Sequence, residues 1–223
     1  MRERNTVDAV QEEDSSSLNV NLFITGINIK EASIEVLISN GASFFISDAD
    51  YARYAFSKGD PVSSEIYEAL ERGHRFILCR QKALDLLSFS EHSSFTLSVK
   101  LRQRGFEPAV VSDVIAMLEE KKYIDDCRFG ELWVRSRLKK NPCGRSALVS
   151  GLRAKGLSAP LAEQVIDELD DDVMMDGACR AYKKIASRKG MTNDKIIGQL
   201  LRRGYSMNMI REIMARGIYE KEE

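Results

Sequence analysis

A segment centred on glycine occurs three times in this 223-residue chain, and no other feature limits its fold as much. LRQRGFEPAVVSDVI (101–115), LRAKGLSAPLAEQVI (152–166) and LLRRGYSMNMIREIM (200–214) superpose on Gly105, Gly156 and Gly204, at periods of 51 and 48 residues. Leucine stands four before each glycine (Leu101, Leu152, Leu200) and a base directly before it (Arg104, Lys155, Arg203). Apolar residues recur one, five, nine and ten positions after it. Periods of this size mark stacked supersecondary units, because a unit this small cannot bury its apolar face alone.

The glycine has a specific task. A helix closing in a Schellman turn needs a left-handed residue just past its end, where glycine carries no Cβ penalty. In that turn the residue after glycine packs on the one four before it, which pairs Leu101 with Phe106, Leu152 with Leu157 and Leu200 with Tyr205. A new helix is predicted near Pro108, Ser158 and Ser206, which suit a first turn or an N-cap. Twelve residues before each glycine, Ser93, Gly144 and Thr192 mark the start of the helix that the glycine ends. Further helical stretches over 81–89, 128–139 and 177–188 precede them. Each repeat thus predicts three helices joined by tight turns, a helix-turn-helix-like layout. Its apolar stripes, and the methionines at 174, 175, 207 and 209, are assigned to the core.

The first third reads differently. Residues 1–17 are polar and expected to fray. Apolar residues at Val20, Leu22, Ile24, Ile27 and Ile29, the β-branched run 33–38 and Phe44-Phe45-Ile46 predict about three antiparallel strands. Asn40-Gly41 between the last two runs predicts a tight hairpin, since both residues tolerate positive φ. A short helix over 48–56, a turn at Lys58-Gly59-Asp60-Pro61 and a helix beginning over 64–72 follow. The expected fold class is mainly α: three tandem three-helix, helix-turn-helix-like modules forming an elongated curved array, preceded by a small N-terminal β-hairpin or sheet region. The expected boundaries are a disordered tail 1–17, an α+β region 18–78, modules 79–122, 123–172 and 173–217, and a charged tail 218–223.

Composition acts here by exclusion. No apolar run is long enough to span a membrane, and the first 18 residues lack the apolar core of a secretory signal. The four cysteines (Cys79, Cys127, Cys143, Cys179) show neither a disulfide framework nor zinc-knuckle spacing, so a reduced, cytoplasmic location is expected. Two histidines alone supply no His-rich metal site. Each repeated glycine is single and flanked by helical sequence, unlike a phosphate-binding loop. With no paired acid and base, nucleophile arrangement or metal spacing, neither an enzyme nor a cofactor is expected.

Tyr123-Ile124-Asp125-Asp126-Cys127-Arg128-Phe129 separates the first two repeats. Asp125 reads as an N-cap, with Asp126 at the first helical position favoured by the helix dipole. Ile124 and Phe129 then stand at the two positions of a hydrophobic staple. No further oxygen or His ligand follows at a useful spacing, so the carboxylate pair reads as capping. This Y-I-D-D-x-R-F block, the arginines after it, a helix ending in L-x-x-K-G and a last L-L-x-R-G-Y segment resemble the RecX family, regulators of the bacterial RecA recombinase. The resemblance is close over residues 80–216; the hairpin and K-G-D-P are similar in layout only. Two departures fall in the first repeat. The family's Ser-x-x-Glu-Leu capping box is Ser93-Ser94-Phe95-Thr96-Leu97 here, and the Arg common just before it is replaced within Phe89-Ser90-Glu91-His92. Weaker capping or a different partner contact is expected there.

What the resemblance implies is a monomeric binding protein. It would lie along the RecA filament on single-stranded DNA and limit ATPase, strand exchange and filament growth. Charge supplies the candidate surface. Lys+Arg total 33 against 34 Asp+Glu, yet residues 121–155 hold ten basic and three acidic side chains. Segregated charge suits an oriented, negatively charged partner. The partner-binding candidates are Arg102, Arg104, Arg128, Arg135, Arg137, Lys139, Lys140, Arg145, Arg153, Lys155, Arg202 and Arg203. Arg128, Arg135 and Lys139 share one helix face, opposite Phe129, Leu132 and Trp133, which are expected to be buried. The pairs Arg102/Arg104, Arg153/Lys155 and Arg202/Arg203 recur before the glycine turns, where they serve either as helix C-terminal capping or as contacts to phosphates or acidic protein surface. A protein that binds DNA directly, without RecA, is the alternative. His74 and His92 are expected to be exposed and idle, and Cys127 a buried, inert thiol.

Overall fold

The computed structural model describes residues 21–219; Val20, the tail 1–17 and residues 220–223 lie outside them. The chain divides into two units, the first ending at His74 and the second beginning at Arg75.

In the first unit, β1 (Ile24–Ile29), β2 (Ile34–Ile38) and β3 (Ser43–Ile46) form an antiparallel sheet in chain order. Alternation places Ile34, Val36, Ile38, Phe44 and Ile46 on one buried face, which packs on Leu70. The broken phase of β1, Ile24 and then Ile27, is a register shift between Ile24 and Gly26. The hairpin is not the two-residue type the Asn40-Gly41 signal predicts. Only Gly41 has positive φ (86°), while Asn40 Oδ1 accepts from the Ala42 N–H at 3.0 Å. A left-handed glycine closing an ordinary turn satisfies the same twist.

A short helix, α1 (Asp48–Tyr54), follows, and then α2 (Ser64–Phe89), a single helix where the sequence reads two stretches. Gly73 does not break it, because the missing Cβ admits Ile46, whose Cγ2 would lie 3.0 Å away. His74 is not idle. Its Nδ1 accepts the Phe45 N–H at 3.0 Å, and its ring stacks on Phe45, so it satisfies an edge-strand donor. Burial lowers its pKa.

The second unit holds the end of α2 and eight further helices among the described residues: α3 (Ser94–Arg102), α4 (Pro108–Glu120), α5 (Asp126–Lys140), α6 (Arg145–Ala154), α7 (Ala159–Asp167), α8 (Asp171–Ala186), α9 (Asn193–Arg202) and α10 (Met207–Tyr219). They build three apolar clusters around Leu101, Leu152 and Leu200, each fully buried. Burying one leucine contributes about 1.5–3 kcal/mol. The three corners share one geometry. Gly105, Gly156 and Gly204 have φ of 87°, 94° and 85°. The Phe106, Leu157 and Tyr205 N–H groups reach back to the carbonyls of Leu101, Leu152 and Leu200 at 3.4, 3.2 and 3.2 Å. Ser93, Gly144 and Thr192 are the N-caps of α3, α6 and α9, and Ser158 caps α7.

The corners also join one helical group to the next. The buried Ser93 hydroxyl, at the start of α3, donates to the Lys155 carbonyl beside Gly156 at 2.6 Å. The Gly144 N–H, at the equivalent start of α6, donates to the Arg203 carbonyl beside Gly204 at 2.9 Å. Glycine is required here twice over. A Cβ on Gly156 would fall 2.0 Å from the Phe95 side chain, and one on Gly144 would fall 2.1 Å from the Gly204 carbonyl oxygen. Gly105 has no neighbour within 4 Å of an added Cβ.

Two expectations are corrected in this unit. His92 is buried rather than exposed; its Nε2 lies 3.2 Å from Lys100 Nζ, and burial first, then Lys100, lowers its pKa. The staple of Ile124 on Phe129 is absent, because Ile124 packs in the cluster of Val114 and Leu118 while Phe129 packs in that of Leu152.

Gly105→Ala is predicted to lose about 1–2 kcal/mol, the left-handed penalty alone. Gly156→Ala and Gly204→Ala should lose clearly more, because each adds a clash; equal losses in urea unfolding would contradict the joints. The native pKa of both His74 and His92 lies below the ordinary value of about 6.5. Their stabilisation is therefore complete above that pH and lost as pH falls through the lower native values. The urea midpoint should drop between pH 7.5 and pH 5, and the drop should be smaller in His74→Gln.

Candidate functional site

Two grooves occupy equivalent places in the repeat. One lies between α3 and α4, has a volume of about 460 Å³, and is lined by Phe95, Ser98, Arg102, Ile115 and Glu119 among others. The second lies between α6 and α7, has a volume of about 650 Å³, and includes Ser146, Val149, Arg153, Leu157 and Glu163. Phe95 with Ser146, Ser98 with Val149 and Arg102 with Arg153 stand 51 residues apart, the period of the repeat. Each groove thus mixes apolar and polar residues and has an arginine at one matched point of its rim. Among the described residues neither arginine has an acidic partner in ion-pair range; Arg102 donates only weakly to Ser98, at 3.4 Å.

The remaining candidate bases divide by what they touch. Arg128 pairs with Glu91 at 3.2 Å and donates to the Tyr123 carbonyl. Arg145 is held between Glu163 and Asp167, and these carboxylates, Asp167 first, raise its pKa. Arg104 caps its own helix by donating to the Lys100 carbonyl at 2.8 Å. Lys155 and Arg203 supply the main-chain acceptors of the joints. Arg135 has Glu131 at 3.9 Å. Arg137, Lys139 and Lys140 are exposed on the last turn of α5. Arg202 is exposed one place beyond the position of Arg102 and Arg153, where this segment has Leu201. The structure does not bring the twelve bases to one place: Arg104, Arg128, Arg135, Arg145, Lys155 and Arg203 make contacts within the chain, and Arg102, Arg145 and Arg153 line the grooves. The α5 face differs too. Leu132 is exposed rather than buried, and Phe129, Gly130, Val134 and Leu138 form the inner face. Trp133 packs on Gly151, where a Cβ would fall 2.3 Å from its ring.

The carboxylate pair does more than cap α5. Asp125 accepts the Arg128 N–H at 3.0 Å, as the sequence predicts. Asp126 reaches across to α3, accepting the Ser94 N–H at 2.7 Å and the Ser94 hydroxyl at 2.9 Å. It therefore satisfies, from another helix, a different first-turn donor of α3 from the Ser93 N–H that a local box glutamate would take. Sequence spacing held no signal for this contact, since 32 residues separate the partners.

Residues 79–118 match the family model described as RecX, first three-helix domain, and residues 125–166 match RecX, second three-helix domain. Regulatory protein RecX of Treponema pallidum (strain Nichols) is 32% identical over 133 residues, which cover 60% of this chain and 81% of that protein. The chain belongs to the RecX family. Regulatory protein RecX of Listeria innocua is 27% identical over 191 residues, 82% of this chain and 71% of the relative. A crystal structure of regulatory protein RecX shares the fold, with a TM-score of 0.74 and 16% identity over 87% of this chain and 99% of that one. RecX from Lactobacillus salivarius aligns with a TM-score of 0.57 and 22% identity, over 64% of this chain and 96% of its own. The Ser93–Lys155 joint and the groove at Arg153 sit within the segments that the family models match, whereas Arg203 and Gly204 of the second joint lie beyond them. No described helix is long and apolar enough to cross a membrane.

Asp126→Ala should destabilise by about 1 kcal/mol, the cost of a lost N-terminal cap. Arg128→Ala should cost less than about 0.5 kcal/mol, because its ion pair is exposed. Thermal unfolding of the two variants checks the ranking; equal losses would place the weight on the ion pair.

Proposed function

We propose that this chain binds the RecA recombinase filament on single-stranded DNA and limits its ATPase, strand exchange and growth, without chemistry of its own. The observation that carries the reading is the recurrence of one groove, with one unpaired arginine at a matched rim position, at the repeat period. A binding surface that repeats along a chain suits a target that repeats along an axis, and each additional matched contact adds avidity. Membership of a family of regulatory proteins supports the same assignment. In this reading the chain acts as a cytoplasmic monomer. Arg102 and Arg153 make the central contacts. Arg135, Arg137, Lys139, Lys140 and Arg202 supply longer-range attraction to acidic protein surface or phosphate. Arg128, Arg145, Lys155 and Arg203 act by holding the groove-bearing helices in place, and Arg104 by capping α3.

A second reading, direct DNA binding by helix-turn-helix-like units, draws on the ten basic residues between 121 and 155. It predicts tight binding to plain DNA with a steep salt slope and no need for RecA.

The test is the single-stranded-DNA-dependent ATPase of RecA with this protein at substoichiometric amounts. The rate should fall. Arg102→Glu with Arg153→Glu should relieve most of that inhibition while leaving the melting temperature within a degree or two of the parent's. Reversal at Arg135 and Lys139 should relieve it partly and more at low salt. An unchanged ATPase rate with the parent protein would reject the proposal.

A further inference from the structure

One group of donor atoms belongs neither to the grooves nor to the basic end of α5. Cys127 is the second residue of α5, Glu131 follows one turn later on the same face, and Glu168 stands at the C-terminus of α7. The Cys127 sulfur and one oxygen from each carboxylate all lie within 4.8 Å of one another. The thiol packs against the second apolar cluster, so the three meet at the seam between the first and third helices of that group.

Their charge is poorly compensated. The Arg135 guanidinium stands 3.9 Å from Glu131, at the outer edge of an ion pair. Glu168 accepts one hydrogen bond, from Gln164 Nε2 at 2.8 Å. Burial first, then Glu168, Glu131 and Asp125, hold the Cys127 thiol above its ordinary pKa. Three donor atoms of two kinds, from two different helices, thus converge at one point of the seam.

We propose that Cys127, Glu131 and Glu168 bind one divalent cation of the zinc type, with a fourth position left to water. Sulfur with two carboxylate oxygens is a donor set for a borderline-soft cation; magnesium and calcium take oxygen alone. Metal–sulfur and metal–oxygen bonds of about 2.3 and 2.1 Å at tetrahedral angles set the donors about 3.6 Å apart, inside the 4.8 Å that bounds their separations. Binding breaks the Cys127 S–H bond and forms a sulfur–metal bond, and the proton passes to solvent; no oxidation state changes. The ion links α5 directly to α7 and stiffens the helices that frame the groove at Arg153. This site is independent of the partner proposed above.

The full-length chain, stripped with a chelator, is titrated with cobalt(II) and then with zinc(II). A thiolate-to-cobalt charge-transfer band should saturate at one ion per chain, release one proton and be displaced by zinc. Cys127→Ser should abolish the band, and Glu168→Gln, at an exposed position, should weaken binding at least tenfold. Cys179→Ser, at another half-buried thiol, should change neither. Circular dichroism confirms that each variant is folded. A parent protein with no band, a band that survives Cys127→Ser, or unchanged affinity in Glu168→Gln overturns the site.

Discussion

The second unit depends on a carbonyl next to a left-handed glycine. A helix end leaves main-chain acceptors unsatisfied, and a helix start leaves donors unsatisfied. At Gly204 the chain brings one against the other, and at Gly156 the hydroxyl of the N-cap Ser93 takes the donor's place. The start of α3 meets the Lys155 carbonyl, and the start of α6 meets the Arg203 carbonyl. The glycine gives the corner its φ, and its missing side chain lets the neighbouring helix approach. A single residue type thus ends a helix and seats the next group of helices.

This explains why a base recurs directly before each glycine without making those bases one binding surface. Lys155 and Arg203 are half-buried where their main chains serve the joints, whereas Arg104, beside the open Gly105, is exposed. The side chains left to face outward at matched positions are Arg102 and Arg153, one on each groove. A repeated corner therefore yields a repeated groove, and the groove inherits its spacing from the joints that hold the helices.

Much of this was legible from residues alone. The period, the left-handed corners, the N-caps at Ser93, Gly144 and Thr192, and the buried leucines follow from short-range rules, and the structure has all of them. The family followed from the Tyr123–Phe129 block. What escaped was long-range. Nothing local says that Asp126 caps a helix 32 residues upstream, that Ser93 reaches Lys155, or that His92 is buried. Spacing along α5 groups Leu132 with Phe129 and Trp133 on a buried face, but the helix turns it outward. Charge was the least legible feature, since a list of bases does not show which carboxylate each one meets, as Arg145 and Arg128 demonstrate. Among the pairs before the glycines, Arg202 stands one place off the register of Arg102 and Arg153, where the third segment has Leu201.

Amide hydrogen exchange tests the joint most directly. Gly144 and Thr192 hold the same position in their repeats, each the N-cap residue of a helix, where an N–H has no partner within its own helix. The Gly144 N–H should exchange slowly, with protection close to that of the α6 core, because Arg203 accepts it. The Thr192 N–H, which has no main-chain acceptor among the described residues, should exchange quickly. Gly144 exchanging as fast as Thr192 would show that the helical groups are not held together at their glycine corners.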